Sequence, residues 1–326
     1  MGRLLKLAPK VTTCWDDVAD YFLLFKRSQG VSQRTLEDYS YHLSLFLRRA
    51  SLADIQDYES LRASVLRYFA DGSSLAPATF NTRLKILRSF FSWCVSEGYI
   101  PANPVEGIKN RKCGETPRAA GEDTLRRLLS LPDVRTFAGL RDRALLILTL
   151  DTGIRPKEAC GLRIGDFDLR GLEVTIPASV AKTRVSRTLP ISPVTADAVG
   201  KLISARHPSW DDAVPVFCTE DGKTMTHNAW DRRLQIYSQR LGVKVRPYDL
   251  RHSFALMFLR NGGNAFSLQK TLGHSSMAMT RRYVALTQND LREQHSKASP
   301  LNTLLPRRSR VRKVKETTLD DCRKGV

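Results

Sequence analysis

Long apolar runs are missing from this chain: none of about twenty apolar residues, the length a membrane span needs, occurs in its 326 residues. Cysteine is sparse and scattered. Cys14, Cys94, Cys113, Cys160, Cys218 and Cys322 form no CxxC pair, which argues against a zinc site or a disulfide framework and suits a reducing interior. His207 and His227 have no partner pattern for a metal, so neither metal nor cofactor is expected. The opening MGRLLKLAPK is basic, but too short and too interrupted to read as a secretory signal. Acidic residues are few beside basic ones, 33 against 52, for a formal net charge of +19. A surplus that large, spread along the chain, calls for a polyanionic partner, with nucleic acid the first candidate and an anionic membrane the weaker one.

What is present reads as a globular chain long enough for two cores, with 42% apolar and 26% charged residues. Helical periodicity dominates the first hundred residues. Trp15, Val18, Ala19, Phe22 and Leu23 make one stripe, stopped by Gly30. A second helix from about Ser32 carries Leu36, Tyr39, Leu43, Phe46 and Leu47, and a third covers 58–69. In the fourth, capped by Thr79 and ended by Gly98, Phe80, Leu84, Leu87, Phe90, Phe91 and Cys94 share one side. Asn81, Lys85, Arg88 and Ser92 share the other. Such a polar face is usually just solvated, but in a chain this basic it is also a candidate surface for DNA phosphates. Periodicity lapses at Pro101, Pro104 and IKNRKCGETPRAAG, which marks a linker at 106–118 and adds Lys109, Arg111 and Lys112 as candidate backbone contacts.

The remainder is organised around RPYDLRHSFALMFLRNGGNAFSLQKTLGHSSMAMTRRY, which crowds Arg251, His252, His274 and Tyr283 into residues 246–283. A lone His, Arg or Tyr is structural far more often than catalytic; the joint pattern points to phosphate chemistry. Attack on a phosphodiester gathers negative charge on the non-bridging oxygens, which preorganised cations stabilise. Arginine binds such oxygens through a planar fork that stays charged, and histidine adds a donor or a titratable proton. A tyrosine can attack phosphorus if neighbours help remove its proton. Tyr283 is placed on a helix starting near Ser275 and Ser276. Upstream, the apolar helix 141–150 is ended by Thr152-Gly153, so Arg155 emerges at a turn before a short helix holding Glu158. LEVTI and TLPI alternate and pair as a β-hairpin, with Lys182 in or beside its turn and Arg184 and Arg187 next to it as candidate contacts to the DNA backbone. The span 210–228 reads as a loop with a short strand, and 230–241 as a helix. The fold class is mainly α with a small β-hairpin, α+β.

Three motifs then carry a resemblance: TGIRPKE at 152–158, YDLRH at 248–252, and LGH followed nine residues after His274 by Tyr283. The chain resembles the tyrosine recombinases, the phage-integrase family, over roughly residues 12–290. The resemblance implies a helical, SAM-like core-binding domain at 12–105, a catalytic domain at 119–297 and a basic tail at 298–326. It implies that Arg155, Arg251 and His274 hold the scissile phosphate and that Tyr283 attacks it, giving a 3′-phosphotyrosyl enzyme. Lys182 protonates the leaving 5′ oxygen, Glu158 orients the arginines, and His252 supports the site from behind. Where the family's HxxR motif has its first histidine, this chain has Tyr248, a poor base that can still bind phosphate or position Tyr283. Strand exchange through a Holliday junction then needs no ATP and no metal. The implied partners are double-stranded recombination sites and three further copies in a DNA-bound tetramer, the chain being a monomer in solution. Leu291 and Leu301-Leu305 are offered for the contact with a neighbouring protomer. An accessory DNA-bending or directionality factor completes the set, in the cytoplasm or on a bacterial nucleoid. Two alternatives stay open: a type IB topoisomerase-like nicking and closing enzyme, and a DNA-binding protein without catalysis on the same fold.

Overall fold

The computed structural model describes residues 14–50, 57–112, 119–284, 292 and 295–304. The chain divides into two compact units, Met1–Gly114 and Glu115–Val326. No helix among the described residues is long and apolar enough to cross a membrane. Leu291, Leu305 and most of the basic tail lie outside the described residues, and the turn Leu301–Leu304 is exposed.

Among the described residues the first unit has four α-helices, α1 (Trp15–Ser28), α2 (Gln33–Arg49), α3 (Tyr58–Asp71) and α4 (Pro77–Ser96). Starts and stops follow local chemistry. Ser32 accepts from the Thr35 N–H at 3.3 Å and Asp57 from the Ser60 N–H at 3.2 Å, each satisfying a donor that the first helical turn leaves free. The start of α4 corrects the expectation of a Thr79 cap. Pro77 occupies the first helical position, where its missing N–H costs nothing, and Ala76 stands before it. Every residue assigned to the apolar side of α4 is buried, and Ile86 and Trp93 join them. The core is aromatic: Phe22 meets Phe90 at 5.3 Å, Phe46 meets Phe91 at 5.7 Å and Phe69 meets Phe80 at 5.1 Å, all edge to face. Each such pair adds about 0.5–1.5 kcal/mol beyond the area it buries.

The second unit is built on α6 (Phe137–Thr152), which follows α5 (Glu122–Ser130). Ala144, Leu145, Leu146 and Leu148 are fully buried, within the apolar stretch of α6 that follows its charged first turns. The Thr149 and Thr152 hydroxyls donate at 2.7 Å to the Leu145 and Leu148 carbonyls. After α7 (Pro156–Ala159) comes a three-stranded antiparallel sheet, β1 (Phe167–Asp168), β2 (Glu173–Ile176) and β3 (Arg187–Pro190), in that order. The expected hairpin is β2 and β3, with Val174 opposite Leu189, both buried; β1 is an addition. Helices α8 (Pro193–Ser204), α9 (His227–Leu241), α10 (Pro247–Arg260), α11 (Ala265–Leu272) and α12 (Met277–Arg281) complete it. The short strand expected at 210–228 is a single bridge, Cys218 to Thr224. Helix α9 starts at His227, three residues earlier than its apolar stripe suggests, because the Thr226 hydroxyl accepts from the Ala229 N–H at 3.1 Å. Buried Asp142 ties α6 to α9, accepting from Arg141 at 2.8 Å, Arg233 at 2.6 Å and Tyr237 at 2.8 Å.

Candidate active site

Two helices end in glycine at the centre of the second unit, and their free carbonyls organise the site. Gly153 closes α6 with φ +62° and Gly273 closes α11 with φ +61°, a left-handed conformation that glycine adopts without strain. At Gly153 space is also decisive, since a Cβ there would stand 2.3 Å from Phe254 Cδ1 and 2.7 Å from Leu272 Cδ2. The last carbonyls of a helix lack partners within it, and here the partners are guanidiniums. Arg251 donates to the Gly153 carbonyl at 2.6 Å and the Leu272 carbonyl at 2.8 Å. Arg155 donates to the Gly273 carbonyl at 3.0 Å.

One carboxylate binds the rest together. Glu158, which follows Arg155 by three positions, accepts from Arg155 Nη1 at 3.1 Å, Arg187 Nη2 at 2.6 Å and the Lys182 main-chain N–H at 3.1 Å. Burial opposes its charge, but Arg187, the Lys182 N–H and Arg155 together hold the carboxyl below its ordinary range. Glu158 is therefore ionised and shared by two guanidiniums, those of Arg155 and Arg187, with the buried guanidinium of Arg251 nearby. The surplus of positive charge is a setting for an oxyanion. Burial and the nearby Arg155 bring Arg251 down to about 10, which leaves it charged at neutral pH.

The histidines are neutral there. Burial, then Arg251 and Arg155, pull His274 down to about 4. Its Nε2 lies 3.1 Å from Arg251 Nη2 and its Nδ1 2.9 Å from the Thr280 hydroxyl. A guanidinium only donates, so Nε2 accepts and Nδ1 carries the hydrogen. The Tyr283 ring lies parallel to that of His274, 6.4 Å away at 10°. Tyr283 itself is 7% exposed, and burial raises its pKa against the opposing pull of Arg251, Arg282 and Arg155. Its hydroxyl sits 2.6 Å from His252 Nδ1. The expectation that Tyr283 rides on a helix is corrected. Helix α12 stops at Arg281, and Tyr283 follows in a turn, its N–H on the Thr280 carbonyl at 2.9 Å.

Arg155, Glu158, Arg251, His252, His274 and Tyr283 thus come together. Lys182 joins through its main chain, its side chain exposed in the hairpin turn. Arg187, expected on the DNA backbone, is instead bound to Glu158 within the site. Tyr248 stands apart, second in α10 and 44% exposed, with its ring 6.1 Å from that of His227. Thr280 belongs to no motif and had no sequence signal, and the sequence offers Arg187 only as a backbone contact, not as a partner of Glu158. The pairing of Gly153 with a helix end was visible, but not that its carbonyl serves Arg251, 98 residues away.

Of the remaining candidates for DNA, Lys85, Arg88, Lys109, Lys112 and Arg184 are exposed. Asn81 and Arg111 are engaged inside the first unit. Asn81 exchanges two 2.8 Å hydrogen bonds with the Arg111 main chain, whose guanidinium lies 3.7 Å over Phe80 and donates to the Ser73 carbonyl at 2.9 Å. Asn81→Ala is therefore expected to lower the stability of the first unit by about 1–3 kcal/mol, since it strands half-buried partners. The urea midpoint measures this. Weaker DNA binding at unchanged stability would place Asn81 on phosphate instead.

Residues 120–290 match the phage integrase family, and residues 18–98 match the phage integrase N-terminal SAM-like domain. Tyrosine recombinase XerC of Escherichia coli O157:H7 is 30% identical over 298 residues, which cover 89% of this chain and 98% of the relative. Among solved structures, the Tn1549 transposon integrase in complex with circular intermediate DNA superposes with a TM-score of 0.70 at 19% identity. That match covers 88% of this chain and 99% of the other. A lambda integrase tetramer bound to a Holliday junction gives 0.67 at 17% identity, over 83% of this chain and 77% of the other. The fold is that of the integrases, a helical SAM-like domain followed by a mixed catalytic one.

Proposed function

The chain belongs to the phage integrase family and is a tyrosine site-specific recombinase, and from that premise we propose that Tyr283 is the nucleophile that breaks and rejoins DNA strands. The observation that carries this assignment is the convergence of Arg155, Arg251 and His274 on the tyrosine that ends the LGH spacing. Arg155 and Arg251 hold the scissile phosphate and stabilise the charge that gathers on its oxygens. Their guanidiniums are fixed beforehand by helix-end carbonyls, so little reorganisation is needed as charge develops. His274, neutral and held by Thr280, lines the same phosphate. Attack by Tyr283 gives a 3′-phosphotyrosyl enzyme, and Lys182 protonates the departing 5′ oxygen from its exposed position in the hairpin turn. The linkage keeps the energy of the broken bond, so a 5′-hydroxyl from a second duplex reseals it without ATP.

Exchange between two duplexes passes through a Holliday junction and employs four copies. The lambda integrase tetramer on such a junction supports that arrangement by analogy of fold. In solution the chain is a monomer, and an accessory DNA-bending or directionality factor acts with it. We place the protein in the cytoplasm, on the nucleoid if the source is bacterial. Lys85, Arg88, Lys109, Lys112 and Arg184 supply phosphate contacts from exposed positions, and their loss should lower affinity for all sequences alike. Likeness to a recombinase along nearly its whole length favours strand exchange over the nicking and closing of one duplex.

The test uses a pool of nicked duplexes randomised through the centre, incubated with the protein in chelator and run on denaturing gels. A covalent adduct is expected, with mass spectrometry mapping the DNA to Tyr283 and the recovered sequence supporting junctions between two duplexes. Tight DNA binding with no adduct from any member of the pool would return the chain to a non-catalytic role.

A further inference from the structure

Resting on that reading of Tyr283, we infer that His252, and not the residue in the HxxR slot, takes the nucleophile's proton. The slot holds Tyr248, and a phenol is a poor base near neutrality. It is also badly placed, half-exposed on the first turn of α10 with its ring toward His227. The other histidine beside the nucleophile has no nitrogen to spare. His274 Nε2 accepts from Arg251, and its Nδ1 serves Thr280. His252 Nδ1 lies 2.6 Å from the Tyr283 oxygen, within the reach a general base requires.

Position and charge suit the role. His252 sits in the second turn of α10, fixed by its neighbour Arg251, whose guanidinium is clamped between two helix ends. The groups facing it are Asp249 and Arg251 from its own helix, Arg282 and Tyr283 from the turn after α12, and His274. Burial disfavours the imidazolium, with Arg282 and Arg251 adding to that, so His252 lies below its ordinary 6.5 and is unprotonated at pH 7. Asp249 pulls the other way and steadies the imidazolium once it forms. With Nε2 carrying the ring hydrogen, Nδ1 is free to accept from the phenol.

The step balances without a further reactant. As the bond from the Tyr283 oxygen to phosphorus forms, its proton passes to His252 Nδ1. The bond from phosphorus to the 5′ oxygen breaks, and that oxygen takes a proton from Lys182. In resealing, an incoming 5′-hydroxyl gives its proton to Lys182 while the Tyr283 oxygen recovers its own from His252.

The experiment measures single-turnover adduct formation on the nicked duplex recovered from the randomised pool. His252→Ala is expected to slow cleavage about 10²-fold at pH 7, the lower end of what a general base supplies. Imidazole in the buffer should restore much of the rate by occupying the space left. His252→Gln keeps the volume and a hydrogen bond but cannot take a proton, so it should be equally slow, with a rate that climbs as pH rises. In the parent chain the rate falls as pH drops through a value below 6.5, where His252 becomes protonated. A 5′-phosphorothiolate substrate, whose sulfur leaves without protonation, should relieve Lys182→Ala and leave the His252 variants slow. A folded His252→Gln that cleaves within about threefold of the parent would overturn the role, as would a deficit indifferent to both pH and imidazole. If the parent chain gives no adduct at all, the recombinase reading fails first and takes this role with it. An adduct that persists undiminished in His252→Gln sinks His252 alone.

Discussion

Tyr283→Phe is expected to bind DNA as the parent chain does and to form no covalent adduct, a loss beyond about 10⁴-fold, the scale on which removal of a covalent nucleophile acts. The substitution is nearly silent in the fold. Phenylalanine keeps the ring parallel to His274 and the buried contact with the cluster around Phe254 and Leu272. What disappears is the oxygen on His252, a hydrogen bond worth about 0.5–1.5 kcal/mol. A denaturing gel of the nicked duplex reads the adduct, and a gel shift at low salt reads the binding. Tyr248→Phe is the contrasting variant and still yields the adduct. Adduct from Tyr283→Phe together with none from Tyr248→Phe would move the nucleophile to the second residue of α10.

That contrast also measures how far the chemistry could be read from residue order. The residues Arg155 and His274 could be placed from the sequence because their motifs sit where helices must end: Thr152-Gly153 before Arg155, Leu272-Gly273 before His274. Helix ends are local, dictated by glycine and by apolar periodicity, so they survive in a bare sequence. The four helices of the first unit were legible for the same reason. The partners were not. Arg187 reaches Glu158 across 29 positions and Asn81 reaches the Arg111 main chain across 30; no periodicity encodes either. A wheel or a hairpin edge shows which side a residue takes, and so offers both to DNA, but not what waits there. Tyr283 looked helical because MAMTRRY has no breaker, yet five residues make too short a helix to carry it. The two-residue β1 is likewise set by its pairing with β2, Phe167 opposite Val174, and not by its own composition.

Glu158 is the residue whose removal should damage fold and chemistry together. Its side chain is 1% exposed, and those of Arg155 and Arg187 are 8% and 12%. Such a group of ions gains little over an apolar filling, but losing one partner leaves uncompensated charge in a low dielectric, which costs about 3–5 kcal/mol. Glu158→Ala is therefore expected to lower the unfolding free energy of the second unit by that amount, read from its denaturation midpoint and slope. It also frees the hairpin turn, because the Lys182 N–H loses its acceptor. Cleavage should fall even where the variant remains folded, since Arg155 and the lysine turn are no longer held to one another. Glu158→Gln tests charge against shape. It retains an oxygen for one guanidinium but presents N–H to the other, so it should recover only part of the stability. The pH dependence has a definite sign. The folded carboxyl lies below its ordinary value of 4.5, so its contribution is complete above that value and is lost as pH falls through the lower folded one. Acid titrations of stability should show this loss in the parent chain and a flatter curve in Glu158→Gln. Parent-like stability in Glu158→Ala would mean that Arg155 and Arg187 find other counter-charges, and that the carboxylate does not hold Arg155, the lysine turn and β3 in one piece.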